Sequence, residues 1–304
     1  MINVRGLHRA YGAVEAVRGV DLSVRAGEVF AFLGPNGAGK TTTVEILEGY
    51  RSRDAGEVGV LGVDPATAGR DWRGRIGIVL QQSRMHPELS VRETLELFAG
   101  YYPRPRPVVE TIELVGLAGK AEARAGKLSG GQQRRLDVAV AMIGDPDLLF
   151  LDEPTTGFDP TARRRAWEMV SSLRELGKTV FLTTHYMDEA QVLADRVAII
   201  VAGRIVAEGP PDRLGRETAT TEIRFRLPEG ATPADLPPEL EADEAGERFI
   251  TLRTGEPERT LHELTGWALE RGADLAGLQV GSPSLEDVYL ELTAAREAEE
   301  AGAR

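Results

Sequence analysis

The 304-residue sequence contains no cysteine, which excludes disulfides and any thiolate metal site. Long apolar runs are missing too. Stretches such as Val138–Ile143 and Val197–Ala202 fall far short of the roughly 20 residues that span a bilayer, so no direct membrane span is expected. The opening Met1-Ile2-Asn3-Val4-Arg5-Gly6 has no extended apolar core and reads as a first strand rather than a secretory leader. Neither an internal repeat nor a long low-complexity tract is present, which sets aside solenoids and disordered scaffolds. Positive charge is in deficit, and unevenly so. Residues 216–304 hold 20 acidic and 9 basic side chains, a net of −11, whereas residues 1–215 are near neutral at −1. So acidic a surface disfavours phosphate backbones and anionic lipids, and no nucleic-acid partner is expected. The run Arg163-Arg164-Arg165 reads as a solvated or subunit-contact helix face.

Phosphate chemistry is written near the N-terminus. Gly34-Pro35-Asn36-Gly37-Ala38-Gly39-Lys40-Thr41-Thr42 follows the apolar run Val29–Leu33 and opens a helical pattern through Val44, Ile46 and Leu47. This is a strand, a glycine-rich loop and a helix in the order a polyphosphate cradle requires. Glycines let successive N–H groups surround the anion at the helix N-terminus. Lys40 reaches the β and γ phosphates in this pattern, and Thr41 ligates Mg²⁺. A second apolar run, Asp147–Leu151, delivers Asp152 and Glu153 to a sheet edge before Pro154-Thr155-Thr156-Gly157 breaks the strand. In a P-loop site the first acid holds the metal and the second polarises the attacking water. Between these motifs stands Leu128-Ser129-Gly130-Gly131-Gln132, at the start of a helical pattern running from Arg134 to Met142. It offers a second set of N–H donors and a helix dipole to an anion.

By the order of these motifs, residues 1 to about 213 resemble the ABC ATPase family. Several further positions take expected roles from that resemblance. Tyr11 in Ala10-Tyr11-Gly12 matches the aromatic on which adenine stacks. Gln81 matches the glutamine near Mg²⁺ and water that begins the segment facing a membrane partner, although Gln82 beside it leaves the register ambiguous. Asp159 looks like the dimer-contact loop, and His185 in Thr183-Thr184-His185 like the switch histidine at the γ-phosphate. The resemblance therefore implies Glu153, His185 and Gln81 as catalytic, and Thr41, Gln81 and Asp152 around Mg²⁺. The nucleotide contacts are Tyr11, Gly34–Thr42, Ser129–Gln132 and Asp159. In this family the signature completes the site of the opposite subunit. A single copy of each motif then implies a head-to-tail homodimer holding two ATP molecules. Phe158 stands where Leu is commoner and Leu80 where Pro is commoner, changes that touch packing rather than chemistry.

The pattern predicts strands near residues 2–8, 18–24, 28–33, 147–151, 179–184 and 196–202, with a hairpin across 197–208 turning at Gly203. Alternating strands and helices imply a mostly parallel α/β sheet covered on both faces. Helices expected at 91–101 and 108–115, separated by Pro103, Pro105 and Pro107, mark an inserted helical subdomain of about residues 85–145. The first domain is thus read as 1–215, a P-loop NTPase of ABC ATPase type. A small acidic α+β domain follows at 216–304. It has strands at 221–227, 249–253 and 275–280, a helix at 258–270, and a last helix capped by Ser284 with Leu285, Val288, Tyr289 and Leu292 on one face. Its closing Ser284-Leu285-Glu286-Asp287-Val288-Tyr289 resembles the C-terminal extension of the daunorubicin-resistance group of type-2 ABC exporters. The resemblance as a whole implies an exporter ATPase, cytoplasmic and peripheral at the inner face of the membrane, that drives a separate multi-helix permease. Direction of transport is not written in the ATPase motifs, so an importer subunit stays open, and two other readings stand beside it: a soluble ABC ATPase acting on ribosomes or DNA, and a non-hydrolytic regulator. The double cassettes, coiled coils or zinc insertions of the former are absent from this sequence, and the latter would lack Glu153 or His185.

Overall fold

The structure, a computed structural model, describes residues 1–81, 85–214, 221–228, 230–238, 240, 242–245, 249–281, 285–290 and 293. It divides into two compact units, Met1–Pro211 and Asp212–Arg304.

The first unit contains β1 (Ile2–Tyr11), β2 (Val14–Val24), β3 (Val29–Leu33), α1 (Lys40–Leu47), β4 (Ala55–Val60), α2 (Arg70–Arg73) and β5 (Ile76–Val79). It continues through α3 (Val91–Ala99), α4 (Val108–Leu114), α5 (Gly130–Met142), β6 (Leu148–Asp152), α6 (Pro160–Glu175), β7 (Thr179–Thr184), α7 (Met187–Leu193), β8 (Arg196–Val201) and β9 (Arg204–Gly209). A six-stranded sheet runs β5-β6-β7-β3-β8-β9, parallel except for the β8–β9 hairpin. Its central strands are apolar on both faces. Phe30, Phe32, Phe150 and Phe181 face one way, with Phe181 within 5.7 Å of the other three ring centroids. Val29, Leu149, Leu151, Val180 and Leu182 face the other way and join the helical layer that contains Leu95, Ile112, Leu136 and Met142. Fully burying one such side chain contributes about 1.5–3 kcal/mol, so the two layers lock the sheet edge that carries the motifs.

Strands β1 and β2 do not lead into the parallel sheet. They pair with β4 in a separate antiparallel sheet of order β2-β1-β4, whose inner residues Ile2, Val4, Leu7, Val20 and Val60 cover the phenylalanine face. The sequence reading omits β4 and β5, because β4 is interrupted by Gly56 and Gly59 and β5 is only four residues long.

The second unit begins within α8 (Pro211–Leu214). It includes β10 (Thr221–Arg226), β11 (Ala242–Ala245), β12 (Phe249–Thr254), α9 (Pro257–Glu270) and β13 (Gln279–Gly281) in an antiparallel sheet ordered β11-β12-β10-β13. Ile223, Phe225, Ile250 and Leu252 pack with Leu264 and Trp267 of α9, and the Trp267 indole N–H donates to the Asp235 carbonyl at 2.7 Å. Among the described residues the unit therefore has one strand more than expected, because β11 lies in a proline-rich, acidic stretch for which no strand was expected. The strand expected at 275–280 is confined to Gln279–Gly281, after a turn in which Gly277 takes φ +70°. Residues 285–290 are helical, with Leu285 and Val288 buried. Ser284 and Leu292, like Gln82, lie outside the described residues.

Candidate nucleotide site

The parallel sheet presents its chemistry along one edge. Leu33 pairs with Thr184 and Asp152 with Thr183, so the glycine loop, Glu153 and His185 all leave adjacent strands at the same level. Two glycines make the loop's path possible. A Cβ on Gly34 would stand 2.4 Å from the Ile200 carbonyl oxygen, and one on Gly39 would stand 2.3 Å from that of Ala16. Gly39 also has φ +103°, a conformation that favours glycine.

A cavity of about 670 Å³ opens over this loop, lined by Asn36, Gly37, Gly39, Lys40, Thr41, Thr42, Gln81, Asp152, Glu153, Thr156 and His185, with Ala16 of β2. Gly34, Pro35 and Ala38 form its support instead. The Lys40 ammonium donates to the Gly34 and Pro35 carbonyls at 2.6 and 3.1 Å, which curls the loop around its own cation. Burial pushes the Lys40 pKa down, while the Glu153 and Asp152 carboxylates act to raise it.

The Asp152 carboxylate accepts the Thr183 hydroxyl. Glu153 has φ +44°, strained for a residue with a side chain. Its N–H donates to the Thr183 carbonyl at 3.1 Å. Three side chains converge on its carboxylate: the Gln81 amide at 3.0 Å, the Thr156 hydroxyl at 3.1 Å and His185 Nδ1 at 3.3 Å. Thr41, Gln81 and Asp152 thus meet in one cavity and offer oxygen donors. No group of three or more His, Cys, Asp or Glu suited to a metal occurs among the described residues. Such a sparse set fits Mg²⁺, which keeps water and substrate phosphate in its shell rather than occupying an all-protein cage.

Ser129 caps α5, accepting from Gln132 N–H, while the Gln132 side chain accepts from Ser129 N–H at 3.0 Å. Asp159 caps α6, accepting from the N–H groups of Thr161 and Ala162 at 2.8 and 2.9 Å. Neither the signature nor Asp159 lines the Lys40 cavity. Both line a neighbouring cavity of about 680 Å³, and the two share Gln81, Glu153 and Thr156 as a common wall. In contrast to the phosphate loop, a Cβ on Gly130 would meet nothing within 4 Å, and one on Gly131 would make only an ordinary 3.6 Å contact. Tyr11 stands outside both linings at the end of β1, 39% exposed, with the Arg9 and Arg51 guanidiniums 4.9 and 5.3 Å from its ring centre.

The sequence reading missed Arg134. Its guanidinium is buried and donates to the Leu80, Asp152 and Pro154 carbonyls. An arginine spaced with Val138 and Met142 on the apolar face of α5 was the available signal.

A phosphate-cradling loop, a buried lysine, and an Asp-Glu pair on the carboxyl edge of a parallel sheet define a P-loop ATPase. Residues 17–156 match the family model described as ABC transporter, and residues 221–284 match one described as the C-terminal domain of ABC transporter domain-containing protein-like sequences. The chain is 39% identical over 307 residues to the Nod factor export ATP-binding protein I of Burkholderia orbicola, covering 96% of each chain. It is 38% identical over 301 residues to the daunorubicin resistance ATP-binding protein DrrA3 of Streptomyces coeruleorubidus, covering 96% of this chain and 95% of that one. Among solved structures, it is similar to a dimeric ATP-binding cassette in a post-hydrolysis state bound to ADP and Pi, at a TM-score of 0.62 and 26% identity, covering 69% of this chain and 98% of that one. It is also similar to cbiO1 from Clostridium perfringens, part of an ABC transporter complex, at a TM-score of 0.65 and 27% identity, covering 71% and 91%. The chain belongs to the ABC transporter family, as an ATP-binding and ATP-hydrolysing cassette.

Proposed function

We propose that this cassette is the energy-supplying subunit of an exporter, working as a head-to-tail homodimer at the cytoplasmic face of the membrane and driving a separate multi-helix permease. The observation that carries the proposal is the position of Glu153, on the wall shared by the phosphate-loop cavity and the signature cavity. In that position Glu153 faces whatever fills the phosphate-loop cavity, beside a signature half-site that is left free for a second copy. The space left open beside Gly130 and Gly131 supports the same reading, because nothing in this chain's own packing requires glycine there.

Lys40 would exchange its loop carbonyls for the β and γ phosphate oxygens, and the N–H groups from Asn36 to Thr42 would surround them. Thr41, Asp152 and Gln81 would hold Mg²⁺, which when bound neutralises charge developing on the transferring phosphoryl group. Glu153 would orient the attacking water and accept its proton, while Gln81, Thr156 and His185 hold the carboxylate in place. Ser129–Gln132 of the second copy would close the far side of the nucleotide, with Asp159 near the contact. Tyr11 would carry the adenine, its ring already flanked by cations.

The cargo class that best suits the relatives is a drug, antibiotic or lipid-like molecule, with selectivity residing in the permease. The test is to recover the tagged chain from gently solubilised native membranes. Co-purification of a multi-helix protein that stimulates ATP turnover is expected; recovery only with ribosomes or DNA would overturn the exporter reading. Within the site, Glu153→Gln is expected to bind MgATP and accumulate a dimer while turnover falls by about 10²–10⁴-fold. Turnover at the wild-type rate would remove Glu153 from its role.

A further inference from the structure

Arg134 lies within α5, past the Ser129 cap, and is only 7% exposed. Its three donor nitrogens reach three backbone carbonyls on two segments. One Nη donates to the carbonyl of Leu80, immediately before Gln81. The other Nη donates to the carbonyl of Asp152 at 2.5 Å, and Nε to that of Pro154 at 3.3 Å, so the two carbonyls flanking Glu153 are both held. The carboxylate of Asp137, one turn along α5, is 4.0 Å away. The residue so bracketed has the strained φ of +44°, a conformation that persists only where its surroundings over-determine it.

We infer that Arg134 is a positioning residue that ties Glu153 and Gln81 of one ATP site to the signature helix serving the other site. This rests on the reading of Glu153 as the water-activating group and of the signature as acting across a homodimer. The planar fork of the guanidinium is the part that matters. It spans carbonyls on separate segments at fixed angles, which a lysine ammonium on a flexible stem does not. When nucleotide held by the second copy engages Ser129–Gln132, any shift of α5 is carried by this fork into the backbone on both sides of Glu153. Hydrolysis in one site is then sensitive to how the opposite site is filled.

The test uses the full chain. Arg134→Lys keeps the buried positive charge but loses the fork, so MgATP affinity, read with a fluorescent ATP analogue, is expected to stay within about twofold. Turnover should fall by about 10- to 100-fold, the scale of hydrogen bonds made by a charged group. In single-turnover measurements on a Glu153→Gln background, the same substitution should cause no further loss, because the group it positions is gone. Unchanged turnover in Arg134→Lys would overturn the inference. So would an equal loss in both backgrounds, or a fall in melting temperature and ATP affinity accompanying the loss, which would mark Arg134 as a general brace. If Glu153→Gln alone hydrolysed ATP normally, the reading of Glu153 would fail first, a result distinct from a silent Arg134→Lys beside a slow Glu153→Gln.

Discussion

The phosphate loop and the signature both place a glycine-rich turn at a helix N-terminus, yet their glycines answer to different constraints. Those of the phosphate loop are required from within: Gly34 and Gly39 press against the Ile200 and Ala16 carbonyls, and Lys40 is buried under its own loop. Those of the signature are unconstrained by this chain, since Gly130 and Gly131 have room for a side chain. One motif is part of the protein's own core, whereas the other is shaped for contact with something outside it. The helices behind the two turns each bury an ionisable group. α1 ends at a buried carboxyl, Glu48, while α5 buries the guanidinium of Arg134.

This contrast can be broken by substitution. Gly39→Ala should have the largest effect, about 4 kcal/mol or more of lost stability, because it adds backbone strain to a 2.3 Å collision; a chemical-denaturation midpoint checks it. Gly131→Ala should leave that midpoint within about 0.5 kcal/mol of wild type but lower ATP turnover by about 100-fold. A destabilised Gly131→Ala monomer would erase the distinction.

Glu48 sharpens the comparison through pH. Burial, with Asp152 and Glu45 nearby, pushes its pKa up to about 8. The fold therefore favours the protonated acid, and this contribution to stability is full below about pH 4.5 and lost as pH rises towards 8. Glu48→Gln should flatten that slope and stabilise the protein at pH 8 by on the order of 2 kcal/mol relative to its effect at pH 5, read from melting temperatures at both pH values. Asp159→Ala should show the smallest effect, about 1 kcal/mol of stability from the lost α6 cap, measured in the same way.

Most of the site was legible because its residues sit in contiguous runs whose neighbours also declare the local structure. Gly34–Thr42 follows an apolar strand and opens a helix, and Asp152-Glu153 ends another apolar strand. What was not legible depends on contacts distant in sequence. Arg134 meets Leu80 and Asp152 only because α5 crosses the ends of β5 and β6, a relation that helical spacing alone does not state. Strand β4 was missed because its pairing with β1, rather than its glycine-interrupted sequence, makes it a strand. β11 was missed for a similar reason, since its ladder to β12 orders an acidic stretch of low strand propensity. Tyr11 shows the reverse case: its motif was legible, while the cations flanking its ring were not.

The shared level at which β3, β6 and β7 release their residues limits how this protein can change length. Leu33 lies beside Thr184, and Asp152 beside Thr183. A single codon inserted into any one of these strands would turn its following segment to the opposite face of the sheet and advance one group of the site past the other two. Codons added in the connection between α3 and α4 would leave these strands in step, whereas the β8–β9 turn is tied to the phosphate loop, its Gly203 N–H donating to the Ala38 carbonyl at 3.0 Å. Added length is therefore tolerated in the α3–α4 connection, while the spacing of three adjacent strands acts as a fixed gauge.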